Sequence, residues 1–283
     1  MAAAPQQNNS MEFEFSDDDF NIIRELVFEK TGISIAPHKK TMVYGRIAKR
    51  IRKIGFKTFK QYIEFVTSDE AGSEIIDFVN AVTTNLTKFF REMHHFDHLK
   101  KTGLPEMIKK HASQKKLRIW SAGCSAGMEP YSIAMVLRSV LRDVDSWDAK
   151  ILATDIDTNM LATGAAGEYK IDEGENIPAD YYELFVTEDK KNSTMQMSPK
   201  LQKLIHFKRL NFVEPWPLKG PFDIIFCRNV VIYFTKETQK VLFNKFADVL
   251  APGGLLYIGH SESLNNVCDR FELVDKTTYR KIK

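Results

Sequence analysis

From Asp17 to about Val82, apolar residues recur every three or four positions: Phe20, Ile23, Leu26 and Val27, then Tyr62, Phe65 and Val66, then Ile75, Ile76, Phe78 and Val79. That spacing lays them along one face of a helix and predicts a small all-helical domain. Past about Lys115 the rhythm changes to short β-rich runs at 117–121, 150–154, 205–210, Phe222–Cys227 and 254–259. Helical stretches fall between the runs, notably 129–141 and Lys236–Val249. The second is expected to break at Ala251-Pro252-Gly253-Gly254 and turn into the next strand. Such alternation predicts an α/β sheet.

The stretch 164–204 fits this alternation poorly, being long and polar with weak strand candidates at 182–187 and Thr194–Met197. An inserted subdomain with a role of its own is the economical reading, because a structureless connection of that length is unusual in a compact domain. The organisation expected is therefore a disordered tail at 1–10, a helical domain at 11–82, a linker with connecting helices at 83–114, and an α/β domain at 115–283 carrying an insertion at about 164–204.

Hydrophobic residues at 43% and charged residues at 27% lie close to globular averages. No apolar run approaches the ~20 residues a membrane span needs, and the first ten residues lack the basic-then-apolar order of a secretory signal. Three widely spaced cysteines, Cys124, Cys227 and Cys268, suit reduced thiols in the cytoplasm better than a disulfide framework. Net charge is only +3, too balanced to imply nucleic acid, but its distribution is uneven. Between Lys39 and Lys60 stand Lys39, Lys40, Arg46, Lys49, Arg50, Arg52, Lys53, Lys57 and Lys60 with no acid, so one helix is strongly basic and suited to an acidic partner.

The first β-rich run leads into Ala122-Gly123-Cys124-Ser125-Ala126-Gly127-Met128-Glu129-Pro130, and a helix follows. In doubly wound folds a turn of small residues at this point lets a ligand approach the backbone. The spacing is neither the dinucleotide fingerprint nor a phosphate-binding loop, so pyrophosphate and triphosphate ligands are not favoured. The second run ends in Ala153-Thr154-Asp155-Ile156-Asp157, placing Asp155 where a carboxylate accepts bonds from ribose hydroxyls.

Three motifs, Thr84-Asn85-Leu86-Thr87-Lys88-Phe89-Phe90-Arg91-Glu92, Glu129-Pro130-Tyr131-Ser132-Ile133-Ala134 and Ala153-Thr154-Asp155-Ile156-Asp157, resemble the chemotaxis receptor methyltransferases, the family called CheR. Gly220-Pro221-Phe222-Asp223-Ile224-Ile225-Phe226-Cys227-Arg228-Asn229-Val230-Val231-Ile232-Tyr233-Phe234 and Gly259-His260-Ser261-Glu262 extend the match, in the family's order, over most of the chain. The resemblance implies a Rossmann-like class I methyltransferase sheet, doubly wound, with a small inserted β-subdomain and a preceding all-α domain. It implies a cytoplasmic enzyme that transfers a methyl group from S-adenosylmethionine to receptor glutamates, releasing S-adenosylhomocysteine. Its partners would be the helical cytoplasmic domains of the receptors, with no nucleic acid, no membrane insertion and a monomeric state.

By the same resemblance Asn85, Thr87, Arg91, Glu129, Asp155, Asn211, Phe212, Arg228 and Asn229 line the cofactor site, and Arg91 and Tyr233 form the catalytic pair. Arg46, Arg50 and Lys53 of the basic helix are the candidate substrate-binding residues. The chain departs from the family in the turn, with Met128 for an acid and Ala126 for a frequent threonine. It departs again at Glu188-Asp189-Lys190-Lys191-Asn192-Ser193, which has no glycine where some members carry a glycine-rich loop that docks a receptor tether. A glutamate carboxylate is ionised at neutral pH, so methyl transfer to it requires alignment and exclusion of water and no general base.

His94, His95 and His98 invite a metal reading through the i, i+4 pair, but no cysteine or carboxylate completes a ligand set in the sequence, and no metal is expected. A nucleic-acid methyltransferase is disfavoured because Arg228-Asn229-Val230-Val231 stands where amino-methylating enzymes carry Asn or Asp before Pro-Pro and an aromatic residue. The remaining alternative is a protein that binds S-adenosylmethionine as a sensor or scaffold without turnover.

Overall fold

The computed structural model describes residues 12–283, so the expected tail at 1–10 lies outside the described residues. The chain divides into two compact units between Thr83 and Thr84.

The first unit contains α1 (Asp17–Thr31), α2 (Lys40–Ile54), α3 (Phe59–Thr67) and α4 (Glu74–Val82). Local chemistry sets their ends. Ser16 and Asp19 form a reciprocal capping box at the start of α1, with three aspartates in its first turn facing the helix dipole. Left-handed glycines, Gly32 and Gly55, close α1 and α2. The apolar faces meet in a core of Ile23, Val27, Val43, Ile47, Ile51, Tyr62 and Phe78, all fully buried. Beside it, Arg50 bonds Glu74 through Nε at 3.0 Å and Asp77 through Nη2 at 2.7 Å, while the Tyr62 hydroxyl donates to Glu74 at 2.7 Å.

The second unit begins with α5 (Met93–His98), a π-helical turn at Leu99–Gly103, and α6 (Leu104–Lys110). There follow β1 (Lys116–Ala122), α7 (Met128–Val140), β2 (Asp148–Asp155), α8 (Thr158–Ala166), β3 (Glu168–Lys170), α9 (Ala179–Phe185), β4 (Val186–Asp189), β5 (Thr194–Met197), α10 (Pro199–Gln202) and β6 (Ile205–Arg209). The chain closes with β7 (Phe222–Cys227), α11 (Lys236–Val249), β8 (Leu250–Ile258), β9 (Phe271–Asp275) and β10 (Thr278–Lys281).

The main sheet has the order β6-β2-β1-β7-β8-β10-β9, parallel from β6 to β8, with β10 and β9 added antiparallel. The chain winds outward from β1 to β2 and β6, then resumes on the other side of β1 with β7. The order therefore reverses between β1 and β7, and the crevice beyond their carboxyl ends is where doubly wound sheets take ligands. Both faces are covered, because successive strand residues point to opposite sides. Ile119 joins a core that includes Ile133, Ala134 and Leu137 of α7, while its neighbour Trp120 packs at 5.2 Å on Phe246 of α11.

Between α8 and β6 a three-stranded antiparallel sheet, β3-β5-β4, forms the inserted β-subdomain, with Met195 and Met197 buried beneath it. The architecture is the α/β sheet with inserted subdomain and all-α unit that the sequence implies, and the structure changes some elements within it. Residues 182–185 belong to α9, and the strand starts only at Val186. The Ala251-Pro252-Gly253-Gly254 break is absorbed into β8, which starts directly after α11 and bulges, so that Phe222 faces Leu250 while Ile224 faces Leu255. Strands β9 and β10 carry no clean alternation and were not anticipated. No described helix is long and apolar enough to cross a membrane.

Candidate active site

The turn after β1 is built for close approach. Gly123 adopts φ 80° and Gly127, which precedes the first residue of α7, φ 87°. A Cβ on Gly123 would lie 2.5 Å from Val230 Cγ2, and one on Gly127 2.8 Å from the Gly164 Cα of α8, so only glycine suits either place. The Gly123 and Cys124 amides donate to the Thr154 carbonyl at 2.7 and 2.9 Å, joining the turn to the end of β2. Cys124 is buried, and burial pushes its thiol well above the ordinary range, so it serves the turn by its size. The two family departures are accommodated here: Met128 is buried in the core, and the Ala126 carbonyl accepts from the Tyr169 hydroxyl at 2.7 Å.

At the reversal point a chain of charges crosses the crevice floor. Glu129, in the first turn of α7, accepts from Ser121 at 2.7 Å and from Arg228 Nη1 at 3.2 Å. Arg228, directly after β7, is 2% exposed in its side chain and stands between two acids, its Nη2 also 3.3 Å from Glu92 Oε2. The same Nη2 donates to the Arg91 carbonyl. Glu92 further accepts from His260 Nδ1 at 2.8 Å, the His260 amide at 3.2 Å and Asn229 Nδ2 at 3.2 Å. Burial pushes the Glu92 carboxyl up, but these donors and the Arg228 guanidinium outweigh it and hold the group at about 2. Burial pushes the Glu129 carboxyl up, with Arg228 and Ser121 opposing. Glu262, itself buried, accepts from the amides of Asn229 and Val231, both at 3.0 Å, tying the loop after β8 to the end of β7.

A second constellation lies at the end of β2. Asp155 takes the Ser125 amide on Oδ2 at 2.7 Å and the Asp157 amide on Oδ1 at 2.9 Å. Burial pushes its carboxyl up against these donors. Asp157 caps α8 and accepts from Asn85 Nδ2 at 2.7 Å, while the Asn85 carbonyl accepts from Ser125 Oγ at 3.0 Å. Phe90, Glu92, Ser125 and Asn229 all hold positive φ, at 50°, 59°, 48° and 58°. Four non-glycine residues in the left-handed region around one crevice is the pattern of a functional site, where packing compensates local strain.

Glu129, Arg228 and Asn229 thus converge, and Asn85 and Asp155 are brought together through Asp157 and Ser125. The Arg91 guanidinium donates to the Leu86 carbonyl at 2.9 Å and has no acidic partner among the described residues. Thr87 and Tyr233 are half-buried, Tyr233 in a single turn at Val231–Tyr233 beyond β7. Asn211 is buried and donates to Glu214 at 2.9 Å. The Phe212 ring packs among Trp120, Trp216, Phe234 and Phe246, so any contact it makes with a ligand comes from its remaining edge or its backbone.

In the helical unit, Arg46 donates to the Val82 carbonyl at 3.1 Å and Arg50 is held by Glu74 and Asp77, whereas Lys53 is exposed. Sequence reasoning did not single out Glu92, His260 or Glu262, although all three lie in motifs quoted for the resemblance. Their signal is an acid or imidazole beside residues of opposite character in segments far apart in the chain.

The histidine cluster differs from its reading in sequence. A carboxylate does join it: Glu92, His94 and His95 place ligand atoms within 4.8 Å of one another. The i, i+4 partner His98 instead bonds the Tyr257 hydroxyl at 2.9 Å. Glu92 is committed to Arg228, Asn229 and His260, and a guanidinium 3.3 Å from the only acid of the trio opposes a cation there.

Residues 85–280 match the S-adenosylmethionine-binding domain of the CheR methyltransferases, and residues 18–83 match the all-alpha domain of the same family. The chain is 41% identical over 258 residues to a probable chemotaxis protein methyltransferase of Rhizobium etli, covering 90% of this chain and 96% of that one. It is 36% identical over 270 residues to the chemotaxis protein methyltransferase of Salmonella typhimurium, covering 93% and 90%. To that of Borreliella burgdorferi it is 34% identical over 280 residues, covering 98% of each chain.

Proposed function

This chain belongs to the CheR methyltransferase family, and from that premise we propose that it esterifies glutamate side chains on the cytoplasmic domains of chemotaxis receptors, acting in the cytoplasm. The observation that carries the reading is the Glu129–Arg228–Glu92 charge chain lying across the reversal point of the sheet, within the part of the chain that matches the cofactor-binding domain.

The residues present fit S-adenosylmethionine. The positive-φ glycine turn admits a close ligand, Glu129 offers a largely buried carboxyl to a cationic group, and Asp155 stands at the end of β2 for ribose hydroxyls. Asn85, Asn211, Phe212 and Asn229 complete the lining. The cofactor supplies an electrophilic methyl on a sulfonium. Everything else falls to the protein: Arg228 fixes the orientation of Glu129 and Glu92, and Arg91, free of acids, is available to hold the receptor carboxylate. Tyr233, half-buried in the turn just beyond β7, is the residue this reading assigns to orient the incoming oxygen. A receptor glutamate, ordinarily ionised at neutral pH, needs no proton removed, so the site works by alignment and by stripping water from the carboxylate.

The basic face of α2 is the receptor-facing surface in this reading. Arg46 and Arg50 are tied within their own unit and act by shaping the helix, which leaves Lys53 and its exposed neighbour Lys49 to meet receptor acids. The test is incubation with radiolabelled S-adenosylmethionine and receptor cytoplasmic fragments, comparing wild type with Arg91→Ala. Base-labile label on receptor glutamates, lost in the variant, is expected. Cofactor binding without transfer to any receptor would instead favour a sensor or scaffold.

A further inference from the structure

Glycine in a helix interior weakens the helix, so each case calls for a reason. Three of the four glycines within helical segments have one inside the molecule. A Cβ on Gly103 would lie 2.7 Å from the Tyr257 hydroxyl, on Gly164 2.5 Å from the Phe207 ring, and on Gly174 2.7 Å from Met195 Sδ. Gly45, in the middle of α2, has none: nothing lies within 4 Å of the place its Cβ would take, and its φ is an ordinary helical one.

Gly45 is exposed and lies opposite the buried Val43 and Ile47. With Thr41 and Lys49, four residues away on either side, and Arg52, seven away, it forms one exposed stripe. The surface around it is cationic and only partly neutralised, since Lys40 pairs with Asp17 and Arg52 with Glu12. Lys49 and Lys53 have no acidic partner among the described residues, and no acid occurs from Lys39 to Lys60. A bare patch of backbone between ammonium groups suits a rod-shaped partner with carboxylates along it, because the distance between two packed helices is set by the side chains at their crossing point.

We propose that Gly45 is the crossing point at which a glutamate-bearing helix of the receptor packs against α2, its missing side chain bringing that helix near enough for Lys49 and Lys53 to pair with its acids. This rests on the reading of α2 as the receptor-facing surface and adds a specificity-determining residue to it. Gly45 belongs to the helical unit and is none of the residues assigned to the cofactor or the reacting groups, so its effect is expected on receptor affinity alone.

The test compares full-length Gly45→Ala, Gly45→Leu and Gly45→Lys with Lys49→Glu/Lys53→Glu, in methylation of a receptor cytoplasmic fragment and in S-adenosylmethionine binding. Gly45→Ala should melt at the same temperature as wild type or higher, since the methyl meets open space and removes the helix penalty. The receptor KM should rise about tenfold in Gly45→Leu, as overpacking a close contact does, and less in Gly45→Ala, with kcat and cofactor affinity unchanged. Gly45→Lys should raise KM too, although it adds a favourable charge. Wild-type KM in all three Gly45 variants, or a lower KM in Gly45→Lys, overturns the close approach. If the double lysine variant also keeps wild-type KM, the receptor-facing reading of α2 fails with it; if that variant alone loses affinity, docking stands and only the crossing point falls. Loss of duplex DNA binding in the Gly45 variants without a change in receptor KM would overturn the proposal in favour of nucleic acid.

Discussion

Arg228 neutralises two largely buried carboxyls while its own Nε finds no hydrogen-bond partner, so its place is set by charge more than by complete satisfaction. Removing the cation of such a group leaves the carboxyls largely buried without their guanidinium, which costs more than the pairing itself contributes. Arg228→Met should therefore lower unfolding free energy by about 3–5 kcal/mol, read from denaturant midpoints, and weaken S-adenosylmethionine binding in the fraction that folds. His95 makes a separate prediction. It is fully buried, with Nε2 2.8 Å from Thr277 Oγ1, and burial lowers its pKa to about 3. Above the unfolded value of about 6.5 the imidazole is neutral in both states and has no pH effect. As pH falls from there toward 3, the unfolded chain takes up a proton that the folded one refuses. Stability should decline over that window, by at most about 1.4 kcal/mol per pH unit from this group. His95→Gln should flatten the decline, as followed by chemical denaturation from pH 7 to pH 4.

Where elements meet, the turn from β1 into α7 is the tightest joint of the second unit. Gly127→Ala would force a Cβ toward the Gly164 backbone at φ 87°, so it should cost at least about 1–2 kcal/mol and weaken cofactor binding, checked by thermal melts and titration. This joint was legible in the sequence, because small residues follow a strand and precede a helix, and so were β1 and β7, whose apolar runs are buried over most or all of their length. Other elements were less so. The C-terminal edge strand β9 mixes exposed Leu273 and Val274 with charged residues, since an edge lacks the one-sided burial that writes alternation into a sequence. The site divides in the same way. Asp155 could be placed from its own strand end, whereas the role of Glu92 arises from His260 and Asn229, 168 and 137 residues away, and a spatial pairing of that kind leaves no local pattern. Arg46 and Arg50 show the converse: their charges suggested a binding face, yet their partners, the carbonyl of Val82 and the acids of α4, are supplied by the fold.

On the scale of the whole molecule, a net charge of +3 conceals strong segregation, since every Lys and Arg from Lys39 to Lys60 lies on one acid-free segment. Long-range attraction of this kind is screened over roughly 8–10 Å at physiological salt. The receptor KM should therefore rise severalfold between low and physiological ionic strength while cofactor affinity, resting on buried groups, changes little; parallel kinetics and titrations at graded salt would show whether the two separate. The interior also carries reporters of its own motion. Cys124 and Cys227 flank the cofactor crevice from the turn after β1 and the end of β7, both fully enclosed, while Cys268 is partly open to solvent. An alkylating reagent should thus mark Cys268 at once and reach the other two only when the crevice breathes, so their labelling rate is a clock for its opening, and a bound cofactor should make that clock run slow.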